Sequence, residues 1–278
     1  MKTFCVVNMD IVGSRKVKDR NRLQVNLNSY IDQINQEFAS ILTVPITITL
    51  GDEWQLITDK PYESYNLVHQ FQQLLWKDGL DLYAGIGIGE LGTSIFNDIR
   101  NMDGPCFHNA RDAINIAKGA DKLKARYSIN KLNKIFLLTH PIFSEDFNLS
   151  FFDFYYLPKN IDSELSMQET AASIDNDPNE DNNKDFFNKL LMERTINLII
   201  ENNEILKGKM TDKQREVYVE YKRLGSYRKV VDIAKDAKKD SISGISQKLN
   251  SASYFTIQRN HNVVSSLLKL FCEGSATS

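Results

Sequence analysis

The chain lacks most of the residues that announce extracellular or zinc chemistry. Its three cysteines, Cys5, Cys106 and Cys272, are odd in number and contain no CxxC pair, so neither a disulfide framework nor a structural zinc site is expected. The four histidines, His69, His108, His140 and His261, form no HxxxH or HExxH grouping, so zinc catalysis is not expected. No stretch approaches the roughly 18 uninterrupted apolar residues of a membrane helix. The apolar start before Asp10 is too short for a signal peptide. A cytoplasmic protein without membrane contact is the expectation. At 25% charged and 42% hydrophobic residues, the 278-residue composition is that of a globular protein and not of a disordered one.

The net charge of −2 hides an asymmetry. From Lys207 to Lys269 there are 14 Lys and Arg against 6 Asp and Glu, a net +8, which leaves −10 for the remainder. A basic segment joined to an acidic body is the pattern of a nucleic-acid-binding module attached to a domain with another job.

Thr3 to Met9 is apolar and β-branched, reads as a buried strand, and stops at Asp10 before Gly13-Ser14. Leu23, Leu27, Tyr30, Ile31, Ile34 and Phe38 recur at helical spacing, which predicts a helix over Arg22 to Phe38. Val44 to Leu50 alternates, breaks at Gly51-Asp52 and resumes through Ile57, a β-hairpin with Asp52 near its turn. A second helix is expected from Tyr65 to Trp76, with Leu67, Val68, Phe71, Leu74 and Leu75 as its apolar face. Leu80 to Gly89 reads as a strand in which Gly85, Gly87 and Gly89 leave one face bare, open either to a ligand or to a closely packed helix. Cys106 to Lys118 completes the pattern as a helix and Lys134 to Leu138 as a strand. The order β-α-β-β-α-β-α-β predicts an α+β domain, a largely antiparallel sheet with helices on one face, over residues 1–160. An acidic linker is expected over 161–185, a connecting helix over 186–206, and a small all-α domain over 207–272.

Asp10 at a strand end and Asp52 at a hairpin tip can converge, and two converging carboxylates repel unless a cation neutralises them. An oxygen-only ligand set favours Mg²⁺ or Mn²⁺ and phosphoryl chemistry. Gly13, Ser14 and Arg15 follow in a turn whose amides can face a phosphate, with Lys16, Lys18, Arg20 and Arg22 nearby, so the site would suit a nucleoside triphosphate. A cap and an ordinary hairpin turn are the competing reading of the same two aspartates.

Met9-Asp10-Ile11-Val12-Gly13 and Leu50-Gly51-Asp52-Glu53 resemble the first-strand and hairpin motifs of class III nucleotidyl cyclases. The hairpin is also similar to the GGDEF hairpin of diguanylate cyclases. Gly85 to Glu90 and Asp103 to Ala113 resemble the cyclase strand and the helix that carries its transition-state arginine. Over roughly the first 140 residues the chain resembles the SatD family of bacterial proteins. This resemblance implies a ferredoxin-like, cyclase-like sheet, Asp10, Asp52 and the Ile11 carbonyl as metal ligands, and Arg111 as the residue that stabilises a transferring phosphoryl group. It also implies a homodimer. Phe107 and Ile48 stand where a cyclase carries its asparagine and its purine-selecting lysine. The resemblance therefore implies fold and metal pair more strongly than turnover.

In the basic segment, Thr211 is the expected N-cap of a helix that ends near Gly225, Ser226 caps a short second helix, and a third begins near Ser241 with Ile242, Ile245 and Leu249 inward. The pattern resembles the helix-turn-helix of sigma-factor region 4. Ser243, Gly244, Ser246, Gln247 and Lys248 then face a major groove of double-stranded DNA, while Arg228, Lys229, Lys238 and Lys239 reach phosphates. Three readings stay open: a DNA-binding transcriptional regulator whose cyclase-like domain senses a nucleotide or holds a dimer, an active cyclase or oligonucleotide-forming polymerase using ATP or GTP, and a protein-interaction module with structural carboxylates.

Overall fold

The computed structural model describes residues 2–119, 129–140, 180–234 and 241–274. Five segments form one sheet: β1 (Phe4–Ile11), β2 (Thr47–Leu50), β3 (Glu53–Thr58), β4 (Leu82–Gly89) and β5 (Ile135–Leu138). Their order across the sheet is β2-β3-β1-β4-β5. β1 is central because its FCVVNMDI run is apolar on both faces, as a strand covered twice must be. It pairs antiparallel with β3 and with β4, while β5 adds to β4 in parallel, so the sheet is mixed.

Two helices return between these strands, α1 (Arg20–Glu37) and α2 (Ser64–Trp76), and a third, α3 (Pro105–Lys118), follows β4. The Asp19 side chain caps α1 by accepting from the Arg22 amide at 2.9 Å. Leu23, Leu27, Ile31 and Ile34 bury its stripe against Cys5, Val7, Met9 and Ile11 of β1, and α2 joins the same core. The opposite face of β1, Phe4 and Val6, packs with Cys106, Phe107 and Ala110 of α3. The α+β order is therefore the expected one, but the helices do not all lie on one face. α3 takes the other face because β4 presents Gly85, Gly87 and Gly89 there, and a helix backbone can settle directly on the strand.

The C-terminal half is helical: α4 (Glu180–Gly208), α5 (Asp212–Leu224), α6 (Tyr227–Ala234), α7 (Ile242–Ser251) and α8 (Tyr254–Gly274). Most of the acidic stretch expected as a linker over 161–185 lies outside the described residues, and its end, from Glu180, is already helix. Local signals set the next boundaries. Thr211 and Gln214 form a reciprocal capping box, Gly225 closes α5 in the left-handed conformation at φ 64°, and Ser241 accepts from the Gly244 amide at 3.1 Å. Met210, Val217, Tyr218, Val230, Ile245, Leu249 and Ile257 form a core of their own. Ile242, expected inward, is 51% exposed.

These helices are also fastened to the sheet. Asn197 of α4 accepts from the Leu137 amide and donates to the Leu137 carbonyl, both at 2.9 Å, satisfying the β5 edge as a further strand would. Val264, Leu268 and Phe271 of α8 enter the core of the sheet. Between α2, α4, α5 and α8 lies a buried polar cluster. Glu204 accepts from Tyr65, Gln72 and Lys207 at 3.0, 2.7 and 2.7 Å. His69 lies between Tyr218 and Gln72 at 2.9 and 3.1 Å, and Gln258 donates to the Tyr218 hydroxyl. The neutral His69 tautomer with its proton on Nδ1 satisfies this chain: Tyr218 donates to Nε2, and Nδ1–H donates to Gln72. The His261 ring stacks between Tyr65 and His69, at 4.2 and 4.6 Å between centroids.

Burial, and then the Lys207 charge, hold His69 and His261 well below the ordinary histidine value of 6.5. Below that value the unfolded chain takes up protons that the folded chain refuses, so stability is full above it and falls as the pH drops. The expected slope is up to about 1.4 kcal/mol per pH unit for each histidine. Urea unfolding followed from about pH 7.5 to 5 measures it. His261→Phe, which keeps the stacking and removes one titrating group, is expected to lose about half the slope. An unchanged slope would show that these rings do not control acid sensitivity.

Candidate functional site

The register places Asp10 directly opposite Glu53, with Tyr83 on its other side. Because side chains alternate along a strand, Asp10 and Glu53 share the face that carries Gly85 and Gly87. Asp52 precedes Glu53 at the hairpin tip, where Gly51 adopts φ 60° and the close pairing of Leu50 with Glu53 leaves a two-residue turn.

α3 runs back along β4 on that same face. A Cβ on Gly87 would lie 2.1 Å from the Ala110 amide nitrogen, and one on Gly85 would lie 2.1 Å from that of Ile114. Two strand residues advance about 6.6 Å and four helix residues about 6 Å, so one strip of glycines seats successive helical turns. The next turn carries Lys118 over the end of β1. Its Nζ is 2.5 Å from Asp10 Oδ2 and 3.8 Å from Glu53 Oε2. Arg111, two turns earlier on the same helical face, pairs with Glu53 Oε1 at 2.7 Å, and Arg20 at the start of α1 lies 3.9 Å from Asp52 Oδ1.

Three carboxylates and three cations thus share one half-buried corner of the sheet. Burial raises the Asp10 carboxyl above its usual range, Lys118 pulls it back, and the neighbouring Asp52 pushes it further up. Asp52 Oδ2 is buried and has no hydrogen-bond partner among the described residues, a condition that costs free energy unless something positive completes it. The donor set fits a hard divalent cation, since Mg²⁺ is typically held by one or two carboxylates with water and phosphate supplying the rest. Among the described residues no group of three or more His, Cys, Asp or Glu is arranged to hold a metal ion.

The remaining residues singled out in the sequence fall as follows. The Ile11 side chain is buried in the core, leaving only its carbonyl as a conceivable ligand. Gly13, at φ 67°, opens a single 3₁₀ turn over Ser14–Lys16, so Ser14 and Arg15 leave β1 just beyond Asp10. Phe107 is buried in the core beneath α3, and Ile48 packs against the opposite core. Asn109 donates to the Ile88 carbonyl at 2.9 Å and is buried away from the carboxylates. In the C-terminal helices Arg228, Lys229, Ser243 and Gln247 are exposed, while Gly244, Ser246 and Lys248 are half-buried. Lys238 and Lys239 lie outside the described residues.

Lys118 and the role of Glu53 were not foreseen. The seven-residue spacing from Arg111 to Lys118 was available as a signal, because residues two turns apart share a helix face.

Residues 4–139 match the model of the SatD family, so the four motifs and the sheet that carries them fall within the matched segment. No curated protein matches the chain.

The glycine strip generates a prediction. Gly87→Ala drives a methyl group into the α3 backbone, which cannot move aside as a side chain would. The expected destabilisation is about 3 kcal/mol, the upper end of ordinary overpacking. Thermal and urea unfolding check it, and a variant as stable as the parent would contradict the close approach.

Proposed function

We propose that the N-terminal unit binds Mg²⁺ or Mn²⁺ with a nucleoside triphosphate at Asp10 and Asp52, that the C-terminal helices bind double-stranded DNA, and that the protein is a nucleotide-responsive transcriptional regulator. The observation that carries this reading is the buried, unpartnered Asp52 Oδ2 beside Asp10, with Lys118, Arg111 and Arg20 around the pair. A bound divalent ion would neutralise the two carboxylates and bridge phosphate oxygens. The Ile11 carbonyl would add a ligand from the strand end. Arg111, half-exposed, would turn from Glu53 toward the phosphate chain. The turn at Gly13, Ser14 and Arg15 would add amide donors and one positive charge.

The split β-α-β-β-α-β arrangement, with α1 and α2 on one face, supports a cyclase-like architecture. Regulation is favoured over turnover because Phe107 and Ile48 point into cores and present no polar group to a base or a ribose. The resemblance also implies a homodimer. Leu50, 78% exposed at the hairpin tip beside Asp52, is an apolar side chain that a second copy would cover.

For DNA, the reading rests on the capped α5, α6 and α7 helices and on the exposed face of Arg228, Lys229, Ser243 and Gln247. Gly244, Ser246 and Lys248, with Lys238 and Lys239 beyond the described residues, would complete that surface.

Calorimetry of ATP and GTP with Mn²⁺ is expected to show binding that Asp52→Asn weakens at least about tenfold, the effect of losing one charge-assisted ligand. Duplex DNA is expected to bind with a steep salt dependence that Arg228→Ala and Lys229→Ala reduce. Failure of the nucleotide to bind would sink the sensing role, and salt-insensitive failure on every duplex would sink the DNA role. Clean cyclic or linear product formation, lost in Asp52→Asn, would replace the regulator with the active cyclase or polymerase.

A further inference from the structure

The formal charges of the site's own side chains balance. Asp10, Asp52 and Glu53 supply three negative charges, and Lys118, Arg111 and Arg20 supply three positive charges within ion-pair reach. Lys118 makes the closest of these contacts, at 2.5 Å to Asp10 Oδ2. A divalent cation that used that oxygen would have to displace the ammonium. The unpartnered Asp52 Oδ2 beside it shows that the lysine answers only part of the site's demand for positive charge.

We propose that Lys118 is a resident counter-ion that occupies Asp10 until a divalent cation binds and then passes to the phosphate that arrives with it, so that cation and polyphosphate load cooperatively. The inference rests on the cation and nucleotide reading of this site and adds its regulation. A divalent ion alone would leave the corner two charges positive and would leave the ammonium only the more distant Glu53, which already pairs with Arg111. An anionic phosphate chain answers both excesses at once.

Lys118 is built for such a handover. It stands in the last turn of α3, next to Gly119, which ends the helix in the left-handed conformation at φ 77°. Its side chain is 29% exposed, so a flexible four-carbon stem can carry the charge a few ångströms without moving the helix. The ordinary role of a lysine at a helix C-terminus is to offset the helix dipole. That role does not require an ion pair with one of the two candidate metal carboxylates.

The test uses the full chain, Mn²⁺ and inorganic tripolyphosphate, with protein-bound Mn²⁺ read by equilibrium dialysis, in which Mn²⁺ and its tripolyphosphate complex equalise across the membrane and only the excess on the protein side counts. Wild type is expected to bind Mn²⁺ weakly alone and at least about tenfold more tightly with tripolyphosphate, the scale of one ion pair gained or lost. Lys118→Gln, which keeps the stem and removes the charge, is expected to bind Mn²⁺ alone more tightly than wild type and to lose most of the tripolyphosphate enhancement. Lys118→Arg, which grips a carboxylate through a rigid fork, is expected to bind Mn²⁺ alone no better than wild type. It also supplies a charge-retaining comparison should the Gln variant fail to fold. Equal Mn²⁺ affinity in the Lys, Gln and Arg proteins, or an enhancement unchanged in Gln, would overturn the counter-ion role while leaving the cation site standing. No Mn²⁺ binding by wild type, with or without tripolyphosphate, would remove the cation site itself.

Discussion

The candidate site depends on one close approach, that of the α3 backbone to the bare face of β4. A helix packed through ordinary side chains sits about 10 Å from a sheet, and at that distance neither Arg111 nor Lys118 would be held so near the carboxylates of β1 and β3. Gly85 and Gly87 remove the intervening layer, and Ala110, a small residue on the contact face, completes the fit. The same contact buries Phe4, Val6 and Cys106 in a second core beneath α3. The electrostatics of the corner are thus a consequence of packing. A helix held by its backbone cannot slide, so the cations reach fixed partners, and only the long side chains remain free to exchange them.

A second constraint joins the two halves of the chain. Glu204 and Lys207 of α4 form an ion pair that is almost wholly withdrawn from water, which is costly unless neighbouring groups satisfy both charges. Tyr65 and Gln72 of α2 do so. The demand runs in both directions, because the polar face of α2 would be equally unsatisfied without α4, α5 and α8. The helical segment proposed to meet DNA is therefore packed through Tyr218 and α4 against α2 of the segment proposed to meet a nucleotide. A change in the position of α2 would be felt at Tyr218 of α5 through the His69 contact.

Much of the architecture was legible because its signals are local. The periods of α1 and α3, the Gly51-Asp52 hairpin, and the caps at Thr211, Gly225 and Ser241 each rest on residues a few positions apart, and each element stands within a few residues of its expected span. The helix α8 had no such punctuation. Its buried residues Ile257, Val264, Leu268 and Phe271 make sense only against partners far away in sequence, in the core of the sheet and in the helical core. The polar face of α2 failed for the same reason. Tyr65, His69 and Gln72 fall outside the apolar face expected of this helix and are buried, since their partners are well over a hundred residues downstream. At the candidate site, the placement of Asp10 at a strand end and Asp52 at a hairpin tip was legible from turn chemistry. Lys118 was not, because an ion pair across a sheet is written in the register of β1, β3 and β4.

Those three strands also hold the residues on which the proposed cyclase-like reading rests. The carboxylates stand where the backbone fixes them, one at a strand end and one at a tight turn, so they persist for as long as the sheet does. The positions that would commit the site to a base and to turnover lie on α3 and β2, where side chains choose between core and cleft. Here Phe107 and Ile48 have gone to the core, and Asn109 serves the Ile88 carbonyl. Under the proposed nucleotide reading, such a site would keep affinity for the phosphate part of a ligand and lose much of its discrimination among bases. That combination suits a protein that responds to a nucleotide through charge, and it makes the exchange of Lys118 between carboxylate and phosphate the natural element through which such a response would begin.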